Sequence, residues 1–291
     1  MGEFADAALS AWHFPWWTGL WLLVSSALYW RGFIRVHRQM PVRFPLSGLA
    51  LYLSGIVTLA FALASPLAAL DDRLLFTHMV QHLLLLMIGP PLLLLGAPQI
   101  PMVRAIPPAL AKRTVGLVAK SRAARRLFAR TTHPVTGLAM FSVVMWGWHL
   151  PGPFQAALRS DDWHIMEHGC MIAAGLLFWY PVIRPWPAAE RWSAWALVPY
   201  LLVADGVNSV IAAFMVFSGR LLYPSYAGLP PIDGISPIND QIVAGAIMWV
   251  PGSILFLLTA VAIVIRALKP QTLIQPGIRS CTHDTGLVVI D

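Results

Sequence analysis

Five histidines stand out because they fall within apolar stretches of the chain, where ionisable side chains are rare. His78 and His82 are four residues apart, as are His164 and His168, so each pair lies on one face of a helix. The fifth, His149, ends another apolar stretch. Imidazole is a common ligand for copper, zinc, iron and nickel. Two pairs and a fifth histidine favour a shared metal site over five independent structural residues.

Side chains near these histidines could complete such a site. Glu167 lies between the histidines of the second pair, where it could bind the metal, orient an imidazole N–H, or pair with a histidine at headgroup level. Thioether sulfur would bias the site towards cuprous copper, and the candidates are Met145, Met171, Met215 and Met248. Most methionines in an apolar chain only fill packing space, so they are weaker candidates than the histidines.

A second polar pair lies near the middle of a different apolar stretch. Asp205 and Asn208 are three residues apart, which places them on one helix face. Three roles are open for them: a proton or polar relay, hydrogen bonding between helices, or an ion site.

The composition indicates what must position these residues. Of the 291 residues, 58% are hydrophobic and 11% charged, against about 25% charged in a soluble protein. An ordinary soluble domain is therefore excluded. Only helices or closed barrels satisfy the backbone in lipid, and seven stretches are long enough for a membrane helix. They are residues 12–30, 46–65, 74–96, 134–150, 164–182, 194–217 and 241–267.

Charge predicts the direction of these seven spans. Most of the 20 lysines and arginines fall in the links 31–45 and 97–133 and after the last span. By the positive-inside rule these segments are cytoplasmic, so the N-terminus lies outside, the C-terminus inside, and the histidines gather near the outer face. The net charge of +7 is explained by basic residues in the cytoplasmic links, so we expect no nucleic-acid partner. We expect an all-α integral membrane protein with a seven-helix domain over 1–270 and a flexible cytoplasmic tail over 271–291.

Several motifs occur in order within residues 12–268. They are His78-Met79-Val80-Gln81-His82, Trp146-Gly147-Trp148-His149-Leu150-Pro151, His164-Ile165-Met166-Glu167-His168, Leu222-Tyr223-Pro224 with Tyr226, and Asp240-Gln241 with Ile247-Met248-Trp249-Val250-Pro251-Gly252. Together they resemble the signature of the CtaG family of membrane cytochrome c oxidase assembly factors, of the caa3 type.

The resemblance implies a seven-helix protein of the bacterial inner membrane that helps assemble haem-copper oxidase by handling copper for its catalytic subunit. It implies oxidase catalytic subunits, membrane lipid and other copper chaperones as partners. The ligands it implies are His78, His82, His149, His164 and His168, with Asp240 and Met248 as weaker candidates. We expect no reaction of the protein's own, because no nucleophile and base pair or redox-cofactor motif accompanies the histidines.

Two other functions are compatible with the same residues. One is a haem-binding redox membrane protein, in which a histidine from the third span and one from the fifth ligate the iron axially. The other is a copper or proton transporter, for which Asp205 in the sixth span is the best argument.

Overall fold

A computed structural model describes residues 16–188, 192–229, 232 and 234–269. Within these ranges every regular element is a helix, and there is no strand. The first half contains α1 (Trp16–Gln39), α2 (Leu46–Ala64), α3 (Pro66–Leu70), α4 (Leu75–Leu83), a π-helical turn (Leu84–Ile88), α5 (Gly89–Leu95), α6 (Gln99–Ala105), α7 (Pro108–Arg113), α8 (Val115–Lys120) and α9 (Arg122–Thr131). The second half contains α10 (Pro134–His149), α11 (Pro151–Arg159), α12 (Asp161–Ile183), α13 (Ala194–Phe217), a 3-10 turn (Pro224–Tyr226) and α14 (Pro237–Leu268). The predicted tail over 271–291 lies outside the described residues.

Five helical segments of the described chain are long and apolar enough to cross a membrane. They are Leu46–Leu70, Leu75–Leu95, Asp161–Ile183, Ala194–Phe217 and Pro237–Leu268. These correspond to five of the seven predicted spans, which are confirmed in this sense. Their outer faces carry exposed large apolar side chains, such as Val57 and Leu258, as a surface against lipid requires.

The first and fourth predicted spans are helices but are not among these five. Residues 12–15 of the predicted first span lie outside the described residues, and helix α1 continues nine residues beyond the predicted end of that span, to Gln39. Arginine is a good helix former, and the backbone hydrogen bonds continue through Arg31, Arg35 and Arg38. Helix α10 has 16 residues, and it ends at His149 because the next residue precedes a proline and is extended.

Close backbone approach holds α12 against the third span. A Cβ atom on Gly175 would lie 2.7 Å from the Leu86 carbonyl oxygen, so only glycine lets the helices come this near. The same carbonyl accepts a 3.1 Å hydrogen bond from the Trp179 indole N–H. Leu86 belongs to the π-helical turn, a geometry that is frequent at functional sites. This contact fixes α12 beside α4, and these two helices carry the histidine pairs.

The start of α4 is held by the last helix. The Asp240 carboxylate of α14 accepts hydrogen bonds from the backbone N–H groups of Leu75 (2.7 Å) and Phe76 (3.0 Å). These N–H groups have no partner within α4, and a negative charge is favourable at a helix N-terminus. Asp240 thus caps α4 from a helix 165 residues away in sequence.

Candidate metal centre

The structure brings the five predicted histidines together between α4, α10 and α12. Within the pairs, the ring centroids of His78 and His82 are 4.5 Å apart and those of His164 and His168 are 4.2 Å apart. Between helices, the distance is 5.4 Å from His78 to His164 and 5.3 Å from His82 to His149. All five rings therefore belong to one cluster.

Glu167 lies inside this cluster and is completely buried. Its Oε2 atom is 3.5 Å from Nε2 of His78, and its Oε1 atom is 3.3 Å from Nε2 of His82. The carboxylate of α12 therefore faces both histidines of α4. Of the roles that the sequence left open, this position suits a ligand or an orienting group better than a pairing at headgroup level.

Asp71 joins the cluster, although the sequence did not single it out. It lies between α3 and α4, and its Oδ2 atom is 3.4 Å from Nε2 of His164. Burial raises the pKa of the Asp71 carboxyl above its ordinary value, while the neighbouring His78 and His164 lower it. The available signal was an acidic pair, Asp71 and Asp72, directly before the span that carries His78.

The donor atoms form three overlapping groups in the described part of the chain. The groups are Asp71–His78–His164, His164–Glu167–His168 and His78–His82–Glu167, and within each the ligand atoms lie within 4.8 Å of one another. Two ligands that each lie about 2.0–2.1 Å from a tetrahedral ion are roughly 3.3–3.4 Å apart. The observed separations of 3.3 to 3.5 Å are therefore suited to a shared ion.

The polar atoms of the cluster are buried, and among the described residues they make no hydrogen bond of good geometry beyond their mutual imidazole–carboxylate approaches of 3.3–3.5 Å. These atoms are Oδ2 of Asp71, Nε2 of His78, His82, His149, His164 and His168, and both carboxylate oxygens of Glu167. A buried polar atom without a partner costs about 1–3 kcal/mol, and native proteins contain few. So many in one place fit a site whose ligand atoms are satisfied by a metal ion.

His149 shows how the backbone can set an imidazole for ligation. Its Nδ1 atom lies 2.7 Å from the Met145 carbonyl oxygen, which can only accept, so Nδ1 donates the proton. The neutral ring then carries its lone pair on Nε2, which is buried without a hydrogen-bond partner. Hydrogen bonding thus selects the tautomer that can bind a metal through Nε2, but His149 belongs to none of the three ligand groups, and its ligation stays a prediction.

Two tyrosines of the segment after α13 hold the edges of the cluster. The Tyr226 hydroxyl donates to the Asp71 carbonyl oxygen (2.6 Å), and the Tyr223 hydroxyl donates to the His149 carbonyl oxygen (2.9 Å). Burial raises the pKa of both hydroxyls, so they remain protonated and able to donate. These tyrosines position backbone near the site, a role that spacing alone did not indicate.

Other candidates lie elsewhere or have other contacts. Asp240 uses both carboxylate oxygens to cap α4 and belongs to none of the three groups. Met145, Met171 and Met248 are buried, and ligation by their sulfur atoms stays a prediction.

The polar pair of the sixth span connects two helices. The Ser253 hydroxyl donates to Asp205 Oδ1 (2.6 Å), and the Asn208 amide donates to the Met248 carbonyl oxygen (2.9 Å). Both bonds join α13 to α14. Of the roles that the sequence left open, these contacts favour hydrogen bonding between helices.

Taken together, the fold and site define a helical protein with membrane-spanning character and a buried histidine–carboxylate cluster that could hold a metal. Residues 27–269 match the Caa3_CtaG family, described as cytochrome c oxidase caa3 assembly factor, and the chain belongs to this family. The resemblance seen in the motifs is thereby confirmed.

The chain is also similar to uncharacterized mycobacterial proteins. One from Mycobacterium leprae is 26% identical over 257 residues, covering 82% of this chain and 37% of the relative. One from Mycobacterium bovis is 26% identical over 249 residues, covering 83% of this chain and 37% of the relative. The chain thus spans little more than a third of the length of these relatives. No solved structure matches the chain.

Proposed function

We propose that this chain is an assembly factor for haem-copper cytochrome c oxidase, and that it holds copper among its clustered histidines for delivery to the catalytic subunit. The oxidase comes from the family to which the chain belongs. The observation that supports metal binding is the set of buried imidazole and carboxylate atoms without a hydrogen-bond partner of good geometry.

Copper suits this set of donors better than the other metals considered. Imidazole-rich sites bind Cu²⁺ most tightly among the first-row divalent ions, and a nearby thioether would extend the preference to Cu⁺. A single ion also suits the available space, because the imidazole rings approach to 4.2–6.2 Å between centroids and enclose a carboxylate. A haem would require a flat gap for the macrocycle between its two axial histidines.

The proposal includes a site that can release its cargo. The donors of the three groups come from α4, from α12 and from the turn before α4, so a small shift of one helix would open the coordination shell. The ion changes partners and undergoes no chemical conversion, which is why we propose delivery and not catalysis.

The proposed topology has all seven predicted spans crossing the bacterial inner membrane, with the N-terminus outside and the C-terminus in the cytoplasm. The cluster then lies near the periplasmic face, at the starts of α4 and α12 and the end of α10. In a cysteine-free background, a single cysteine at position 161 should react with an impermeant thiol reagent added from the periplasm, and one at 120 should not. The reverse pattern would contradict this orientation.

The functional proposal is tested in a strain that lacks the gene and grows at limiting copper. Active, copper-replete oxidase should fall while its subunits remain in the membrane, and added copper should restore part of the activity. Complementation with His82→Gln should fail, and complementation with Asp205→Asn should succeed, because Asp205 belongs to none of the ligand groups. Normal oxidase activity in the deletion strain, with no second copy of the gene, would refute the assembly role.

A further inference from the structure

A cleft of about 810 Å³ reaches the metal cluster from the surface of the helical bundle. Its walls come from α1, the α2–α3 segment, α11 and α12. Three of the cluster's ligands, Asp71, His164 and His168, line the cleft. His78, His82 and Glu167 do not line it, so the cleft touches one side of the cluster.

Exposure decreases from this side inwards. The His164 side chain is 24% exposed and that of Asp71 is 5% exposed, whereas His78 and Glu167 are both at 0%. An ion that comes through the cleft therefore meets the Asp71–His164 pair before it can reach the inner group.

The mouth of the cleft has the charge that a metal cation needs. Asp72 and Asp161 are exposed and line the same cleft as Asp71. Acidic side chains at a concave opening raise the local concentration of cations and their rate of association. The Oδ2 atom of buried Asp71, which lies 3.4 Å from Nε2 of His164, then offers the first ligand below this mouth.

We infer that this cleft is the access route for the metal ion, and that Asp71 and His164 form an outer station that passes the ion to the inner group His78–His82–Glu167. The inference rests on the proposed function, which supplies copper as the ion. It adds Asp71 as a carboxylate ligand, and it states that the ion moves from the cleft towards the inner group.

The overlap of the groups supplies the step between the stations. His78 belongs to both the outer group with Asp71 and the inner group with Glu167. In the inferred transfer the ion stays on His78 while Asp71 is exchanged for Glu167 and His164 for His82. The exchange breaks two coordination bonds and forms two, each station supplies one carboxylate, and no electron is transferred.

A steric variant tests the route without removing a ligand. Gly169 of α12 lines the cleft, and a Cβ atom there would have no neighbour within 4 Å. Gly169→Leu should therefore fold and narrow the cleft. Gly206 of α13 is equally open but does not line the cleft, so Gly206→Leu is the matched control.

The measurement is stopped-flow transfer of Cu²⁺ from its weak glycine complex to the full chain in detergent. Gly169→Leu should take up the ion several-fold more slowly than wild type, with the same amount bound and the same affinity at equilibrium. Gly206→Leu should load at the wild-type rate. Asp71→Asn should slow uptake by about tenfold, at the low end of the rate enhancement that focused charge gives a cation. Asp162→Asn removes an exposed charge that does not line the cleft and should have no effect.

Each outcome separates the two proposals. If wild type binds copper and both Gly169→Leu and Asp71→Asn load at the wild-type rate, the access route is wrong and the proposed function stands. If Asp71→Asn binds no copper at equilibrium, Gly169→Leu decides alone, because its unchanged equilibrium binding shows that it has folded. If wild-type protein binds no copper, the proposed function fails and the route fails with it.

Discussion

Replacing Glu167 by glutamine tests the centre of the cluster. Its carboxylate oxygens lie 3.5 Å from His78 and 3.3 Å from His82, and the side chain is completely buried. Glutamine keeps the shape of the side chain but removes the negative charge that a copper ion would neutralise. Loss of a group that only orients the ligands of a metal site typically lowers affinity by about 10- to 100-fold, and loss of the Glu167 carboxylate should cost at least as much. At about 1.4 kcal/mol per tenfold, Glu167→Gln should weaken binding by at least roughly 1.4–2.8 kcal/mol.

The same change has a second, opposite consequence for the metal-free protein. Burying a neutral amide costs less free energy than burying a carboxylate, so the metal-free variant should unfold at the wild-type temperature or above it. Copper at about 100 times the wild-type Kd stabilises wild type by about 2.7 kcal/mol. At that copper concentration the variant should gain no more than about 0.4–1.4 kcal/mol.

Thermal unfolding in detergent, with and without copper, measures both effects. Asp205→Asn is the matched control, because it also converts a carboxylate to an amide but contacts Ser253 of α14. It should leave the copper-dependent stabilisation unchanged. Wild-type stabilisation by copper in Glu167→Gln would show that the carboxylate is no ligand, and a lower unfolding temperature without metal would show that it has a structural role.

Three further predictions follow from the same geometry. Copper affinity should fall as the pH is lowered, because protons compete with the metal for the imidazoles and for the Asp71 carboxyl, whose pKa is raised by burial, and pH-independent affinity would contradict ligation by these groups. Asp240→Ala should lower the free energy of unfolding by about 2–4 kcal/mol, because Leu75 and Phe76 lose their buried acceptor, and an unchanged unfolding temperature would contradict the capping role. Gly175→Val should lower the free energy of unfolding by about 1–3 kcal/mol, because the larger side chain forces α12 away from Leu86. Thermal unfolding in detergent measures this effect, and an unchanged unfolding temperature would show that the two helices are not in close contact here.

The sequence was sufficient for five of the seven predicted spans and for the histidine pairs, because both depend on local composition and periodicity. Residues four apart share a helix face in any fold, so His78 and His82 could be paired before the structure was known. The end of α1 could not be predicted from the apolar segment, because hydropathy limits a membrane span and does not limit helical hydrogen bonding. Helix-forming arginines carry α1 to Gln39.

The partner of each carboxylate depends on packing between segments that are distant in sequence, and sequence patterns do not show this packing. Asp71, Glu167 and Asp240 all adjoin apolar segments, yet two face histidines and one caps a helix. Which partner each acid meets depends on how α14 and α12 pack against α4. The same packing decides that Tyr226 holds the backbone of Asp71, a contact across 155 positions of sequence.

Metal analysis of the purified chain tests the central claim most directly. Full-length protein in detergent is supplied with copper, separated from free ion, and its bound copper is counted per chain, with X-ray absorption to identify the ligands. Wild type should retain copper with nitrogen and oxygen ligands, and the double variant His82→Ala with His168→Ala should retain none. Wild-type copper content in the double variant would show that the histidine cluster is structural and that copper binds elsewhere.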